Sequence, residues 1–235
     1  MTRFASTQWS LVRRAGSGEH DARAALDDLC RTYRPPVLAY IRAHAGVEDA
    51  EDLTQAFFAE FVATALHAGA EPGRRRFRTY LLTSLKHFLI NSTQAARAIK
   101  RGGAAHMTSL EAPGTDDGLR AAERDSPDRV FERRWALTVI DAALRALRAE
   151  AQAAGKLDVF SRLREFLIEP PAEADYAVLA REMNVRPNTL AATVHRMRRR
   201  LREHVLAQLA HTTHARADLD AELRDLRAAL AGVME

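Results

Sequence analysis

The chain of 235 residues is long enough for one large or two small domains, and with 47% hydrophobic and 28% charged residues it has the balance of a packed water-soluble protein. A single cysteine excludes a disulfide framework or a cysteine-rich zinc site, and no apolar run reaches the roughly 20 residues of a membrane span, so we expect a cytoplasmic protein. The formal net charge of +4 is mild, so the distribution of charge matters more than its sum.

The composition is rich in Ala, Leu, Arg and Glu and sparse in Gly, which predicts an all-α fold. After a lead-in at 1–20, the first helix is predicted over 21–44, with an apolar face formed by Leu26, Leu29, Cys30 and Tyr33. We expect Pro35 and Pro36 to break or kink this helix, because proline removes a backbone donor and clashes with the preceding turn.

Residues 46–66 predict a second helix with a buried stripe on one side and an acidic flank on the other. The stripe consists of Ala50, Leu53, Phe57 and Phe61, and the flank of Glu48, Glu51, Asp52 and Gln55. Metal binding or acid–base catalysis by these carboxylates would need convergent partners, which the sequence does not supply. The flank is therefore either a solvated face or a docking surface for a basic partner.

Residues 67–80 are predicted as a Gly/Pro loop that leads through an arginine cluster into a third helix, which extends to Arg101. Its apolar face is formed by Phe77, Leu81, Leu85, Phe88 and Leu89. Basic and aromatic residues interleave here, which suits single-stranded nucleic acid because cations follow the backbone while rings stack on bases. The alternative is a core role, which we expect for Phe88 and for part of Phe77, whereas for Tyr80 the pattern favours neither.

Residues 102–128 predict a linker, because Gly, Pro, Ser, Thr and Asp dominate and no helical stripe persists. A helix follows, capped by Ser126 or Asp128, and another is predicted over 157–168. The chain closes with an amphipathic helix, whose stripe consists of Leu219, Leu223, Leu226 and Leu230.

Residues 175–205 predict a helix-turn-helix. Asn184 and Val185 form its turn, and Pro187 suits the first turn of the second helix, where a missing N–H costs little. That helix carries an apolar stripe of Leu190, Val194, Met197 and Leu201. Glu203 alone faces six arginines, namely Arg186, Arg196, Arg198, Arg199, Arg200 and Arg202. So much positive charge suits a phosphate-lined groove, and a merely solvated face is the alternative.

The segment DAEDLTQAFFAEF, residues 49–61, resembles region 2 of the extracytoplasmic-function (ECF) group of sigma-70 family RNA polymerase sigma factors. FRTYLLTSLKHFLIN follows at the family's spacing, then a linker, and then VRPNTLAATVHRMRRRLREHV, which resembles region 4. The resemblance implies two helical domains joined by a flexible linker, with an extra C-terminal helix. It divides the chain into a lead-in (1–20), region 2 (21–101), the linker (102–128), region 4 (129–206) and a C-terminal extension (207–235).

The resemblance also assigns three surfaces. Docking on core RNA polymerase falls to the acidic flank, by Asp49, Glu51, Asp52 and Gln55. Capture of the opened non-template strand of the minus-ten element falls to Arg74, Arg75, Arg76, Arg78, Tyr80, Lys86, His87 and Asn91. Reading of the minus-thirty-five element in the major groove falls to Arg186, Asn188, Thr189, Ala192, His195, Arg196 and Arg199.

The implied function is that of a sigma factor that binds core polymerase and directs promoter recognition, DNA melting and transcription initiation, and catalyses no bond change itself. Its expected partners are core RNA polymerase and promoter DNA, both duplex and opened, with an anti-sigma factor or a kinase as regulator. Phosphate on Thr54, inside the docking helix, would add negative charge there. We expect no metal, no cofactor, no membrane contact and a monomer in the absence of polymerase.

Two other classes of protein fit parts of the pattern. A helix-turn-helix regulator would bind duplex DNA as a dimer, independently of polymerase, with the 219–230 leucine stripe as its seam. A helical interaction protein would bind a regulator but no promoter. An enzyme fits least, because no nucleophile–base pair, phosphate loop or metal cluster is recognisable.

Overall fold

The computed structural model of the protein describes residues 22–46, 48–67, 76–101, 126–168, 173–210 and 216–231. These residues form eight α-helices and one short 3-10 turn, and they contain no strand, so the predicted all-α fold is confirmed for this part of the chain. The helices are α1 (Ala22–Ala45), α2 (Ala50–His67), α3 (Phe77–Arg101), α4 (Pro127–Ala153), α5 (Leu157–Leu163), α6 (Glu173–Glu182), α7 (Pro187–Ala210) and α8 (Arg216–Ala231). None of these eight combines the length and the apolarity that a membrane span requires.

The described helices belong to two compact units. The first contains α1, α2, α3, the start of α4 up to Thr138, and α8. The second contains α4 from Val139 onward, α5, α6 and α7 up to Leu209. Helix α4 thus contributes to both units, and α8 contributes to the first although it follows the second in sequence. Most of the predicted linker lies outside the described residues, so the two-domain arrangement stays a prediction.

Helix α1 is continuous through Pro35 and Pro36, where the sequence predicted a break or kink. Its stripe of Leu29, Tyr33, Val37 and Ile41, at every fourth residue, is fully buried. A buried side chain of this kind contributes about 1.5–3 kcal/mol. The stripe therefore offsets the cost of the two prolines, which is roughly 3 kcal/mol each in a helix interior.

An aromatic cluster joins α1, α2 and α3 in the first unit. The ring of Phe77 lies 5.0 Å from that of Tyr33 and 6.1 Å from that of Phe61, centroid to centroid. Phe57 and Phe88 form an edge-to-face pair at 5.6 Å. Phe77 is completely buried and Phe88 is 7% exposed, so both are core residues and are not available to stack on nucleic acid bases. Such pairs favour tilted and edge-on geometries because of the ring quadrupole.

The start of α4 completes the core of the first unit. The backbone N–H of Arg129 donates to the Ser126 hydroxyl at 3.4 Å, and Pro127 occupies the first helical position. Ser126 therefore provides the cap, and of the two residues predicted for this role it is the one that faces the helix terminus. The helix then buries Phe131 and Trp135 completely.

The second unit holds the helix-turn-helix formed by α6 and α7. Its core consists of Leu163, Ala180, Leu190 and Val194, with half-buried neighbours such as Met197. Asn184 adopts a left-handed backbone, with φ at +53°, which asparagine tolerates better than most residues. Next to it, the Val185 N–H donates to the Ala180 carbonyl at 2.9 Å and closes the end of α6. The predicted turn and apolar stripe are confirmed.

Candidate nucleic-acid and polymerase-binding surfaces

The outer face of α7, opposite the buried stripe, is exposed and mostly polar. Leu190, Val194 and Leu201 hold the inner face against the core of the second unit, which fixes the rotation of the helix. All seven residues predicted to read duplex DNA are exposed on α7 or just before it, and we call this set the α7 recognition face: Arg186, Asn188, Thr189, Ala192, His195, Arg196 and Arg199. A rigidly packed helix with an exposed polar face can enter a major groove.

Two arginines of α7 serve the fold instead. Arg198 donates to the carbonyl oxygen of Phe166 from both Nε and Nη2, at 3.0 and 2.6 Å. Arg200 pairs with Glu150 and with Glu203. The expectation that Glu203 is the only carboxylate opposite these arginines is therefore wrong, because the fold brings a second one from α4.

Glu150 is the central carboxylate of a charged cluster that also contains Arg200, Glu203 and His204. It accepts from Arg200, and its other oxygen lies 3.1 Å from His204 Nε2. The hydrogen bond from Arg200, supported by His204, lowers the pKa of the Glu150 carboxyl below its ordinary value. The cluster fastens α7 to α4 within the second unit, so its charges belong to packing and not to the α7 recognition face.

In the recognition face itself, Arg196 and Arg199 point away from the core. Arg196 Nη2 donates to the Thr193 hydroxyl at 3.0 Å, and Arg199 Nε lies 3.8 Å from Glu203, at the outer limit of an ion pair. Neither contact is buried. Both guanidinium groups can therefore exchange these contacts for phosphate oxygens at little cost.

The predicted acidic flank of α2 contains exposed residues and one residue, Glu51, that is paired with arginines of α1. Asp49, Asp52 and Gln55 are exposed, as the docking prediction requires. Glu51, in contrast, is half-buried and accepts from Arg34 and Arg42 of α1, the second at 3.1 Å. We call Asp49, Asp52 and Gln55 the α2 acidic flank from here on.

Thr54 lies behind this flank and is completely buried. Its hydroxyl donates to the Ala50 carbonyl oxygen at 2.6 Å, one turn earlier in α2. A kinase would therefore reach this hydroxyl only after α2 has opened locally.

Arg78, which was predicted to contact the minus-ten strand, is inside the first unit with only 4% of its surface exposed. Its guanidinium contacts Glu132, lies 3.3 Å from Glu222 and 2.8 Å from Asp225, and stacks 4.2 Å from the Trp135 ring. In this conformation carboxylates and an aromatic ring surround the guanidinium, so Arg78 is not accessible to DNA, and its contact with the minus-ten strand stays a prediction.

The other described cations of the minus-ten set are also paired. Arg76 lies 2.5 Å from Asp225 and 3.9 Å from Glu222, and Lys86 lies 2.6 Å from Asp128. Arg74 and Arg75 lie outside the described residues. The aromatic and polar members of the set are more accessible: His87 and Asn91 are exposed, and Tyr80 is half-buried with its ring 5.8 Å from that of Phe61.

Two residues of this region escaped the sequence reasoning. Ile90, which the sequence analysis assigned to no face, is 53% exposed between the predicted contacts His87 and Asn91. Glu222 is completely buried on α8. A signal for it was present, because Glu222 stands one helical turn before Leu226 and hence on the apolar face.

Burial and charge oppose each other at Glu222. Loss of hydration raises the pKa of its carboxyl above the ordinary value, and the neighbouring guanidinium groups of Arg78 and Arg76 act in the opposite direction. The net direction is upward. The two arginines stabilise the Glu222 carboxylate, but its loss of hydration offsets much of that gain. The ion pairs of Glu222 therefore add little to the stability of the first unit.

No family model, no characterised protein and no solved structure matches the chain. The likeness to sigma factors therefore rests on the motifs at 49–61, 77–91 and 185–205. Among the described residues no group of three His, Cys, Asp or Glu side chains could hold a metal ion.

Proposed function

We propose that the protein is a dissociable RNA polymerase sigma factor that recognises promoter DNA and assists its opening. The observation that carries the proposal is the α7 recognition face, where all seven predicted duplex-contacting residues are exposed above a packed helix-turn-helix core. Arginines on such a face supply phosphate contacts that set the register, and Asn188 and His195 can reach base edges.

The α2 acidic flank supports the second half of the proposal, attachment to polymerase. Asp49, Asp52 and Gln55 are exposed together at the start of α2. The helix dipole stabilises negative charge at a helix N-terminus, which favours the carboxylates of Asp49 and Asp52 at this position. Against a basic partner surface they accelerate encounter and fix the register more than they add affinity.

Exposed His87 and Asn91 of α3, with half-buried Tyr80, support a contact to opened DNA. Ile90 lies among them, and an exposed apolar side chain can wedge between bases as they unstack. Each of these contacts is weak alone. Once core polymerase holds the protein, binding of the second DNA element becomes intramolecular, so two weak contacts give useful affinity.

A helix-turn-helix regulator that acts without polymerase is the second candidate. One observation favours it: the arginines and the lysine of the minus-ten set that the structure describes, Arg76, Arg78 and Lys86, are each paired with a carboxylate, whereas the α7 recognition face is exposed. Such a protein would bind duplex DNA alone and would leave the α2 acidic flank without a role.

Transcription with purified core polymerase from a panel of selected promoters tests the proposal. Wild-type protein is expected to give promoter-specific run-off product, and a variant with Asp52→Arg and Gln55→Ala is expected to lose both product and co-purification of core subunits. The matched control is Glu60→Arg, a charge reversal on the same helix about 12 Å along the axis from Asp52.

The outcomes separate the candidates. A folded wild-type protein that yields no product on any promoter, and pulls down no core subunit, contradicts the sigma assignment. Sequence-specific footprints on duplex DNA without polymerase, unchanged in the Asp52→Arg and Gln55→Ala variant, would instead support the regulator.

A further inference from the structure

Every cation of the predicted minus-ten set that the structure describes is bound to a carboxylate from later in the chain. The pairs are Arg76–Asp225, Arg76–Glu222, Arg78–Glu222, Arg78–Asp225, Arg78–Glu132 and Lys86–Asp128. All of these residues belong to the first unit. Carboxylates and phosphates use the same N–H donors, so a group that is bound to one is not available to the other.

Helix α8 supplies the carboxylate in four of these six pairs, and both of its carboxylates lie on one face. Glu222, Asp225 and Leu226 are three and four residues apart, which places them side by side. Leu226 is 3% exposed and is the only leucine of α8 among the described residues that is fully buried. The Asp225 side chain is 43% exposed, so Asp225 lies at the rim of the contact between α8 and the two arginines. Glu222 is fully buried and lies inside that contact.

The rim is open to solvent on the side of Asp225. A cavity of about 460 Å³ lies there, with Arg78, Arg129 and Asp225 among its lining residues. Within this lining the Asp225 side chain is 43% exposed and that of Arg78 only 5%, so the carboxylate is the more accessible partner of the pair. Displacing Asp225 would expose donors of both Arg76 and Arg78.

We propose that α8 covers the surface around the start of α3 that is predicted to bind the opened DNA strand. The carboxylates of Asp225 and Glu222 then take the places of DNA phosphates. Single-stranded DNA and α8 then compete for Arg76, and α8 has to move before the strand is held. The choice of DNA as the competing anion rests on the function proposed above. That α8 lies against these arginines rests on the ion pairs and on Leu226, the one leucine among the described residues of α8 that is buried.

Removing the rim carboxylate from the full-length chain tests this competition. The probe is a fluorescent pool of random-sequence single-stranded DNA, and its affinity is measured by anisotropy at low ionic strength without polymerase. Asp225→Asn is expected to tighten binding by roughly threefold to tenfold, the gain of one charge-assisted contact. The control is Asp220→Asn, which removes the same charge from an exposed position on α8 and is expected to change affinity less than about twofold.

A second variant tests whether the gain in DNA affinity comes from the release of Arg76. In Asp225→Asn combined with Arg76→Gln, most of the tighter binding is expected to disappear, because Arg76 is the more exposed of the two released donors and Arg78 is still held by Glu132 and Glu222. Hydrogen–deuterium exchange over 216–231 provides a readout that needs no DNA, and both Asp225→Asn and Arg76→Gln are expected to raise exchange there while Asp220→Asn does not.

Equal affinities for Asp225→Asn and Asp220→Asn, or unchanged exchange in α8, would overturn the competition. So would a gain that persists undiminished when Arg76 is replaced. None of these measurements uses polymerase, so the competition can fail while run-off transcription succeeds. In the same way, loss of run-off transcription leaves the exchange result standing, and the two proposals are tested separately.

Discussion

The guanidinium Nε of Arg78 lies 3.3 Å from a carboxylate oxygen of Glu222, and both side chains are almost completely excluded from solvent. Bringing two charges into an apolar interior is costly, so such a pair adds little net stability compared with a hydrophobic contact of the same size. Removing one partner is different, because the other charge then stays buried without compensation.

We therefore expect Arg78→Met to destabilise the protein by about 3–5 kcal/mol, the typical cost of breaking a buried pair. The double variant Arg78→Met with Glu222→Leu is expected to recover most of the loss, because Glu132 and Asp225 remain partly exposed to water. Urea unfolding followed by circular dichroism measures both. A double variant as unstable as the single one would show that Arg78 acts through its contact with the Trp135 ring.

Acid should weaken the second unit through Glu150. Because the pKa of Glu150 is lower in the folded protein than its ordinary value, its contribution to stability is present at neutral pH and is lost as the pH falls through the folded value. We expect Glu150→Gln to be less stable than wild type at neutral pH and to converge with it in acid. Melting temperatures across the acid range measure this. Glu182→Gln, at an exposed position on α6, serves as control and should run parallel to wild type.

Sequence reasoning succeeded where neighbours in the chain decide the structure. The turn at Asn184 and the stripe of Leu190, Val194 and Leu201 depend on residues three or four positions apart, so their pattern is visible in the sequence. For the same reason the exposure of the α7 recognition face and of the α2 acidic flank followed from the position of the stripes.

Reasoning from local pattern failed where distant residues decide. Arg78 resembles any other arginine of its cluster, but Asp225, 147 positions away, holds it inside the first unit. Arg198 is bound by Phe166 across 32 positions, and Arg200 by Glu150 across 50. Which arginines serve the fold and which face outward is set by tertiary packing, and a helical period does not encode that.

The left-handed backbone at Asn184 predicts an asymmetric response to substitution. With φ at +53°, Asn184→Gly is expected to be close to neutral, whereas Asn184→Val should cost about 1–2 kcal/mol because a branched Cβ clashes with the backbone there. Thermal unfolding of the full chain gives the difference. Arg181→Val introduces the same side chain in the last turn of α6, where the backbone is helical, and should cost less. Equal losses at the two positions would argue against strain in the turn.

Arg196 and Arg198 are two residues apart on α7, but replacing them with alanine should have different effects: the first on DNA binding and the second on stability. Arg196 is exposed, so Arg196→Ala should leave the melting temperature unchanged and weaken duplex DNA binding, with the slope of log affinity against log salt reduced by about 0.9 if it neutralises one phosphate. Arg198→Ala removes both donors to the Phe166 carbonyl and should lower the melting temperature. A random-sequence duplex as the anisotropy probe, with melting curves of the same samples, distinguishes them. Unchanged duplex binding and an unchanged salt slope in Arg196→Ala would remove this arginine from the DNA-contacting surface.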